Sequence, residues 1–164
     1  MLIGLLSDTH DKLAATIAAM RVLRAAGAEF FIHGGDVGGE QILDVFAGDN
    51  AAFVWGNNDW DRRELARYAK TIGLRCLDDF GELTLDNKRF AITHGDDLAT
   101  LRRVQNDQRH DYLITGHTHV RHDERIGKLR WINPGALYRA REKSVALLNT
   151  STDDLKFLVV DVAV

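Results

Sequence analysis

Two periodicities divide this chain. In its first half, short uninterrupted apolar runs at 2–6, 29–32 and 51–55 read as buried strands. Between them the apolar spacing turns helical: over 11–26, which is rich in alanine and stopped at Gly27, over 41–47, and over 59–71, which is stopped near Gly73. Strand–helix alternation of this kind predicts parallel strands joined by right-handed crossovers. The pattern then changes. Segments 82–85 and 89–93 flank Asp86-Asn87-Lys88 as a hairpin, a helix is predicted over 98–108, and a strand over 112–115. A second hairpin joins 121–126 to 129–132 through Gly127-Lys128, and strands 145–148 and 155–160 close the chain around a turn at 150–154. Two sheets packed face to face with helices outside account for the switch from alternation to hairpins.

Bulk properties narrow the function classes. A length of 164 residues, 45% of them hydrophobic, suits one domain over 1–164 with a real core. The formal net charge is −3 and no block of like charges appears, so nucleic acid is not expected as a bound partner, nor is an anionic membrane surface. Cys76 is the only cysteine, which excludes an internal disulfide and suits a reducing compartment. The apolar start, Met1 to Leu6, is too short for a signal peptide, and no run approaches the roughly 20 residues a membrane helix needs. The expected location is the cytoplasm, and a homo-oligomer is left open.

Candidate chemistry sits directly after predicted strands. Asp8-Thr9-His10 follows the first, Gly34-Gly35-Asp36 the second, and Gly56-Asn57-Asn58-Asp59 the third. Thr93-His94-Gly95 and Gly116-His117-Thr118-His119 end two strands of the second half. In open sheets, sites form beyond the carboxyl ends of the strands, so five such clusters are expected to converge. Residues at i and i+2 in extended chain face the same way, which lets Asp8 pair with His10, and His117 with His119. A carboxylate such as Asp36 has two oxygens and can bridge two cations, Asn57 offers a carbonyl oxygen, and imidazoles suit Mn, Fe, Zn or Ni. Taken singly, each cluster has a plainer reading. Gly-Asp is usually a turn, Asn58 or Asp59 could cap a helix, and His94 could be a core histidine. Gly-His-Thr-His is the most specific piece, and the five in order are what carry the argument.

Of the seven histidines, His33, His110 and His122 lie outside these clusters. His33 falls inside a strand and reads as structural or as a neighbour of the ligands, whereas His110 and His122 read as solvated. Asn133-Pro134-Gly135 reads as a turn. Arg139 and Arg141 follow it and read first as solvated arginines, with reach to a second phosphate as the alternative.

The five blocks, spanning Asp8 to His119, resemble the signature of the calcineurin-like metallophosphoesterases: Asp-x-His, Gly-Asp, Gly-Asn-His-Asp/Glu, a later His, and Gly-His-x-His. Asn133-Pro134-Gly135 is similar to the Asn-Pro-Gly-Ser turn of small prokaryotic members, with Ala136 in place of Ser, and the length resembles their cap-less phosphodiesterase branch. The resemblance implies an α/β fold, a four-layer α/β/β/α sandwich of two mixed sheets flanked by helices. It implies two divalent cations, Mn first with Ni, Fe, Zn or Mg as alternatives. One would take Asp8, His10, Asp36 and His119, and the other Asp36, Asn57, His94 and His117. On the family pattern a water shared by the metals attacks phosphorus in line, with catalysis resting on Asp36, His10 and Asn58.

One position departs from that pattern. Asn58 stands where many members have a histidine thought to contact the phosphate and assist the leaving group. An amide can donate to a phosphate oxygen but cannot act as a general acid. Good leaving groups, and diesters over alkyl monoesters, are therefore expected of a small phosphate-ester substrate. A phosphomonoesterase or protein phosphatase is the alternative within enzymes. A scaffold like the retromer subunit of the superfamily is the alternative outside them, disfavoured because every ligand position is kept.

Overall fold

Strands β1 (Leu2–Leu6), β2 (Phe30–His33), β3 (Ala51–Phe53) and β4 (Arg75–Cys76) run parallel in the computed structural model, which describes residues 1–162. The last two residues of the expected domain lie outside the described residues. Antiparallel β10 (Ser144–Asn149) and β11 (Asp154–Val159) extend this sheet past β1, giving the order β11-β10-β1-β2-β3-β4. Helices α1 (Leu13–Ala25), α2 (Glu40–Asp44) and α3 (Arg62–Thr71) connect its parallel strands. The second sheet orders β5 (Phe80–Leu85), β6 (Lys88–Thr93), β7 (Tyr112–Ile114), β9 (Leu129–Asn133) and β8 (His122–Ile126), with β6, β7 and β9 parallel. Helix α4 (Leu98–Asp107) links β6 to β7.

Side-chain alternation assigns the layers. Ile3, Leu5, Phe30 and Ile32 of the first sheet meet Phe90, Ile92, Tyr112 and Ile114 of the second in one buried cluster. On the other face of the first sheet, Leu6, Phe31 and Phe53 pack under Ala19, Met20 and Leu23 of α1 and Leu65 of α3. Ala91, Leu113 and Leu129 of the second sheet pack against Leu101 and Val104 of α4. The central strands are thus buried on both faces, which is why they read as unbroken apolar runs. The result is the expected α/β/β/α sandwich of two mixed sheets. Phe90 is fully buried and stacks on Tyr112 with ring centroids 4.7 Å apart, so its truncation to Ala should cost about 3–5 kcal/mol.

Element edges differ from expectation where side chains were diverted to loops. Helix α1 starts at Leu13 rather than 11, because Asp11 adopts φ 59° and accepts from Gly39 N at 2.6 Å. Helix α3 starts at Arg62 rather than 59, and neither Asn58 nor Asp59 caps it. Asp59 instead accepts from Gly56 N at 2.7 Å and from Gly38 N at 3.0 Å. The short β4, paired with Ala52 and Phe53, carries too little pattern to be read from sequence. His110, expected to be solvated, is buried, with Nε2 2.5 Å from Glu82 Oε1 on the neighbouring hairpin. His122 is partly exposed and packs on Trp131. Among the described residues no helix is long and apolar enough to cross a membrane.

Candidate metal centre

The loops after β1, β2 and β3 and those after β6 and β7 meet at one edge of the sandwich. Asp8 Oδ1, beyond β1, lies 3.2 Å from His119 Nε2 and 3.9 Å from Nε2 of both His10 and His94. Asp36 Oδ2, beyond β2, lies 3.3 Å from the same two nitrogens of His10 and His94. Two sets of potential ligand atoms result, one from Asp8, His10 and His119 and one from Asp8, Asp36 and His94. The imidazoles pair across the centre, His10 with His119 at 5.4 Å between ring centroids and His94 with His117 at 5.2 Å. His117 Nδ1 and Asn57 Oδ1 sit 3.0 Å apart at the exposed rim.

The backbone is bent to bring these groups inward. Asp8, His10, Asp36, His117 and His119 have φ of 55°, 44°, 55°, 68° and 59°, in the left-handed region that non-glycine residues seldom occupy. Each such residue costs on the order of 1 kcal/mol, so five together consume a sizeable share of a typical net stability. Five of the thirteen non-glycine residues with positive φ among the described residues are thus ligand-type residues at one edge, and their clustering points to function. Two glycines answer a separate need for space. A Cβ on Gly56 would overlap the Asp36 carboxylate, and one on Gly116 would overlap Ser7 Oγ and stand 2.6 Å from Asp8 Oδ2.

Neighbouring residues hold the ligands in place. His94 Nδ1 lies 2.8 Å from Gly34 O, a group that only accepts, so Nδ1 carries a proton and Nε2 is the nitrogen turned to the centre, where a neutral ring would offer its lone pair. Asp8 Oδ2 accepts from His117 N at 3.2 Å. His33 is buried: Nδ1 accepts from Gly35 N at 3.1 Å, which leaves the proton on Nε2, 2.9 Å from Thr9 Oγ1. Thr9 in turn donates to Val37 O at 2.7 Å, tying the β1 loop to the β2 loop. Asn133 Nδ2 donates to Gly116 O at 2.6 Å and to Thr118 Oγ1 at 3.1 Å, so the Asn-Pro-Gly turn braces the Gly-His-Thr-His loop.

Burial and neighbouring charges shift several groups of the centre. Burial raises the Asp8 carboxyl above its ordinary value. Burial also works against ionisation of Asp36, yet the adjacent His94 imidazole and the hydrogen bonds from Asn58 prevail and hold it well below the usual carboxylate range. For His94, burial pushes the imidazole down but the carboxylates of Asp36 and Asp8 overcome it, raising it to about 9. His10 is lowered, chiefly by burial. Asp8 Oδ1, His10 Nε2 and His94 Nε2 are all buried without a hydrogen-bond partner. Orphaned lone pairs of oxygen and nitrogen, with no thiolate among them, fit a borderline or hard divalent ion.

Five residues expected from sequence, Asp8, His10, Asp36, His94 and His119, are therefore drawn together, while Asn57 and His117 pair at the rim. Asn58, also exposed, turns both its backbone and side-chain N–H groups onto Asp36. Sequence reasoning missed the bracing by Asn133 and Asp59, and it missed Tyr138, whose ring lies 4.9 Å from that of His10. The Asn-Pro-Gly motif was the only available signal for this last segment.

Comparison with known proteins agrees with this geometry. The chain is 31% identical over 166 residues to a phosphodiesterase of Methanocaldococcus jannaschii, a match covering 98% of this chain and 100% of that one. A solved archaeal phosphodiesterase superposes with a TM-score of 0.90 at 31% identity, covering 97% and 99% of the two chains. The E. coli phosphoesterase Yfce shares the fold, with a TM-score of 0.67 at 20% identity over 98% and 100%. Residues 1–153 match the calcineurin-like phosphoesterase superfamily domain, and the chain belongs to that superfamily.

Proposed function

We propose that this chain is a phosphodiesterase working with two divalent cations. The observation that carries the reading is the convergence of three buried, unpartnered ligand atoms, Asp8 Oδ1, His10 Nε2 and His94 Nε2, around Asp36. Leaving such atoms unpaired costs about 1–3 kcal/mol each, which coordination would offset. One cation would be held by Asp8, His10, Asp36 and His119, the other by Asp36, Asn57, His94 and His117. The equal 3.3 Å approach of Asp36 Oδ2 to His10 and His94 supports its belonging to both. With the proton of His117 on Nε2, Nδ1 and Asn57 Oδ1 present two lone pairs to one ion. When bound, the cations supply charge neutralisation to the phosphoryl oxygens and acidity to a coordinated water for in-line attack. Manganese is our first choice, with Ni, Fe, Zn and Mg compatible with the donor set.

The diester preference has two supports. A relative covering the whole chain is named a phosphodiesterase. Asn58 holds the position where a general acid would act, and an amide cannot give a proton to a departing alkoxide. Ester arms that leave as stable anions are the ones this site handles. Asn57 and Asn58 lie exposed at its edge, so the substrate is a small, solvent-approached phosphate ester. Half-buried Cys76 and the absence of any disulfide partner for it in the sequence suit the cytoplasm.

The test reloads metal-free protein with Mn, Ni, Zn, Mg or Fe and counts bound ions. Each form is assayed on bis-p-nitrophenyl phosphate, p-nitrophenyl phosphate and cyclic nucleotides. Two ions per chain and preferential diester hydrolysis are expected. Bound metal with no turnover on any substrate would overturn the enzyme reading, and failure to bind metal would return the chain to the scaffold class.

A further inference from the structure

A depression of about 480 Å³ opens beside His10, between the first turn of α1 and the segment after the Asn-Pro-Gly turn. Lys12, Arg139 and Lys143 line it together with Tyr138. The Tyr138 ring is the shared wall: one side of it stands 4.9 Å from the His10 ring, and Lys12 Nζ and the Arg139 guanidinium lie 4.8 and 5.1 Å from its centroid. Both cationic side chains thus contact the same ring that packs beside His10.

The charge around this depression is unbalanced. Among the described residues no ion pair engages Lys12, Arg139 or Lys143, a condition they share with most of the chain's Lys and Arg; what sets them apart is that all three line one depression. Asp11 is the one carboxylate among the described residues of the lining, and its Oδ1 is turned to Gly39 N at 2.6 Å. Helix α1 has no acidic residue in its first turn. Cation–π contact with this half-buried tyrosine is too weak to gather like charges by itself, at about 0.5–1 kcal/mol for each cation near the surface. A bound dianion would supply what the cluster lacks.

The segment is also held in place. Leu137 N donates to Asp8 O at 3.3 Å, and Ser144 Oγ donates to Pro134 O at 2.8 Å, so both ends are anchored. Arg139 adopts φ 47°, a left-handed conformation costly for a long side chain. Arg141 and Glu142 line a neighbouring depression that Arg139 and His119 also border, so Arg139 stands between the two.

We propose that this depression is a subsite for a second phosphate, so that the preferred substrate is a phosphodiester with a further phosphate on one arm. The inference rests on the phosphodiesterase reading and names its substrate class. An Arg fork and two ammonium groups on one lining match a phosphate dianion, and the cavity has room for the linking atoms beside it.

The experiment compares thymidine 5′-(p-nitrophenyl phosphate) with its 3′-phosphorylated form, in the metal-loaded protein. The ratio of kcat/KM values should favour the 3′-phosphate by about 10-fold or more, as expected of charge-assisted hydrogen bonds. It should fall toward 1 in Arg139→Ala and in Lys12→Ala. A ratio near 1 in the wild type, or one preserved in both variants, would overturn the subsite. A second readout is calorimetric. Thymidine 3′,5′-bisphosphate should bind at least about 10-fold more tightly than thymidine 5′-monophosphate, with the difference lost in Arg139→Ala. If neither ester is hydrolysed yet this binding difference holds, the phosphodiesterase reading fails while the phosphate subsite stands. If the esters are hydrolysed without discrimination, the reverse is true.

Discussion

Asn58 binds Asp36 twice, its backbone N–H donating to Oδ1 at 2.8 Å and its side-chain amide donating to Oδ2 at 2.9 Å. Both oxygens of one carboxylate are thus oriented by a single residue. The carboxylate concerned also approaches His10 and His94 equally, at 3.3 Å. Sequence alone assigned Asn58 to the phosphate; the geometry gives it a prior task, setting the direction of the carboxylate proposed to serve both cations.

Asn58→Ala should therefore weaken metal binding about 10–100-fold, the usual effect of losing a group that orients a ligand. Competition with a chelator reads this directly. Asn58→His tests the other half of the account, because an imidazole can protonate a leaving group and such help is worth about 10²–10⁴-fold. The rate ratio of aryl to alkyl phosphate diesters should fall by about 10-fold or more in that variant. An unchanged ratio would show that this position does not govern leaving-group dependence.

Asp36→Ala should remove the ligand proposed to be common to both ions and abolish hydrolysis. The more telling measurement is thermal. A ligand at 100 times its Kd stabilises by about 2.7 kcal/mol, so saturating Mn should raise the wild-type Tm by several degrees. Asp36→Ala should unfold cooperatively and lose most of that rise. A variant that keeps the full metal-induced shift would refute the bridging role.

Asn133→Ala should loosen the Gly-His-Thr-His loop. Its amide is buried and makes two donations, to Gly116 O and Thr118 Oγ1, while its Oδ1 accepts from Gly135 N at 2.9 Å. Loss of these contacts should cost about 2–3 kcal/mol in metal-free protein. Metal affinity should fall as well, because His117 and His119 ride on the braced loop. Wild-type affinity in a destabilised Asn133→Ala protein would mean that the turn supports the fold alone.

Legibility in the sequence followed the physics of each feature. Asp8, Asp36, His94 and the two histidines of Gly-His-Thr-His could be singled out because metal chemistry admits few side chains and each follows an apolar strand. The sandwich was legible because strands buried on both faces leave unbroken apolar runs. What escaped depends on partners distant in sequence. His110 is buried because Glu82, 28 residues earlier, folds over it. Asn133 acts through Gly116, 17 residues earlier. Asp59 has the composition of a helix cap, but Gly38 and Gly56 take its oxygens, so α3 begins later. Nothing local to Tyr138 or Lys12 announces that they meet beside His10.

His33 should make the fold sensitive to acid. Complete burial lowers its imidazole to about 3, against an ordinary value of 6.5. Protonation would also turn Nδ1 from an acceptor into a donor facing Gly35 N. The unfolded chain takes up this proton first, so the stability His33 contributes is whole above pH ~6.5 and is lost as pH falls from there toward ~3. The slope should approach 1.4 kcal/mol per pH unit at most, about the value of one proton. Urea unfolding of wild type and His33→Gln from pH 7 to pH 4, with chelator present, isolates this residue from the other histidines. The stability difference between the two proteins should shrink as pH falls. A difference constant across that range would show that His33 is not held neutral by the fold.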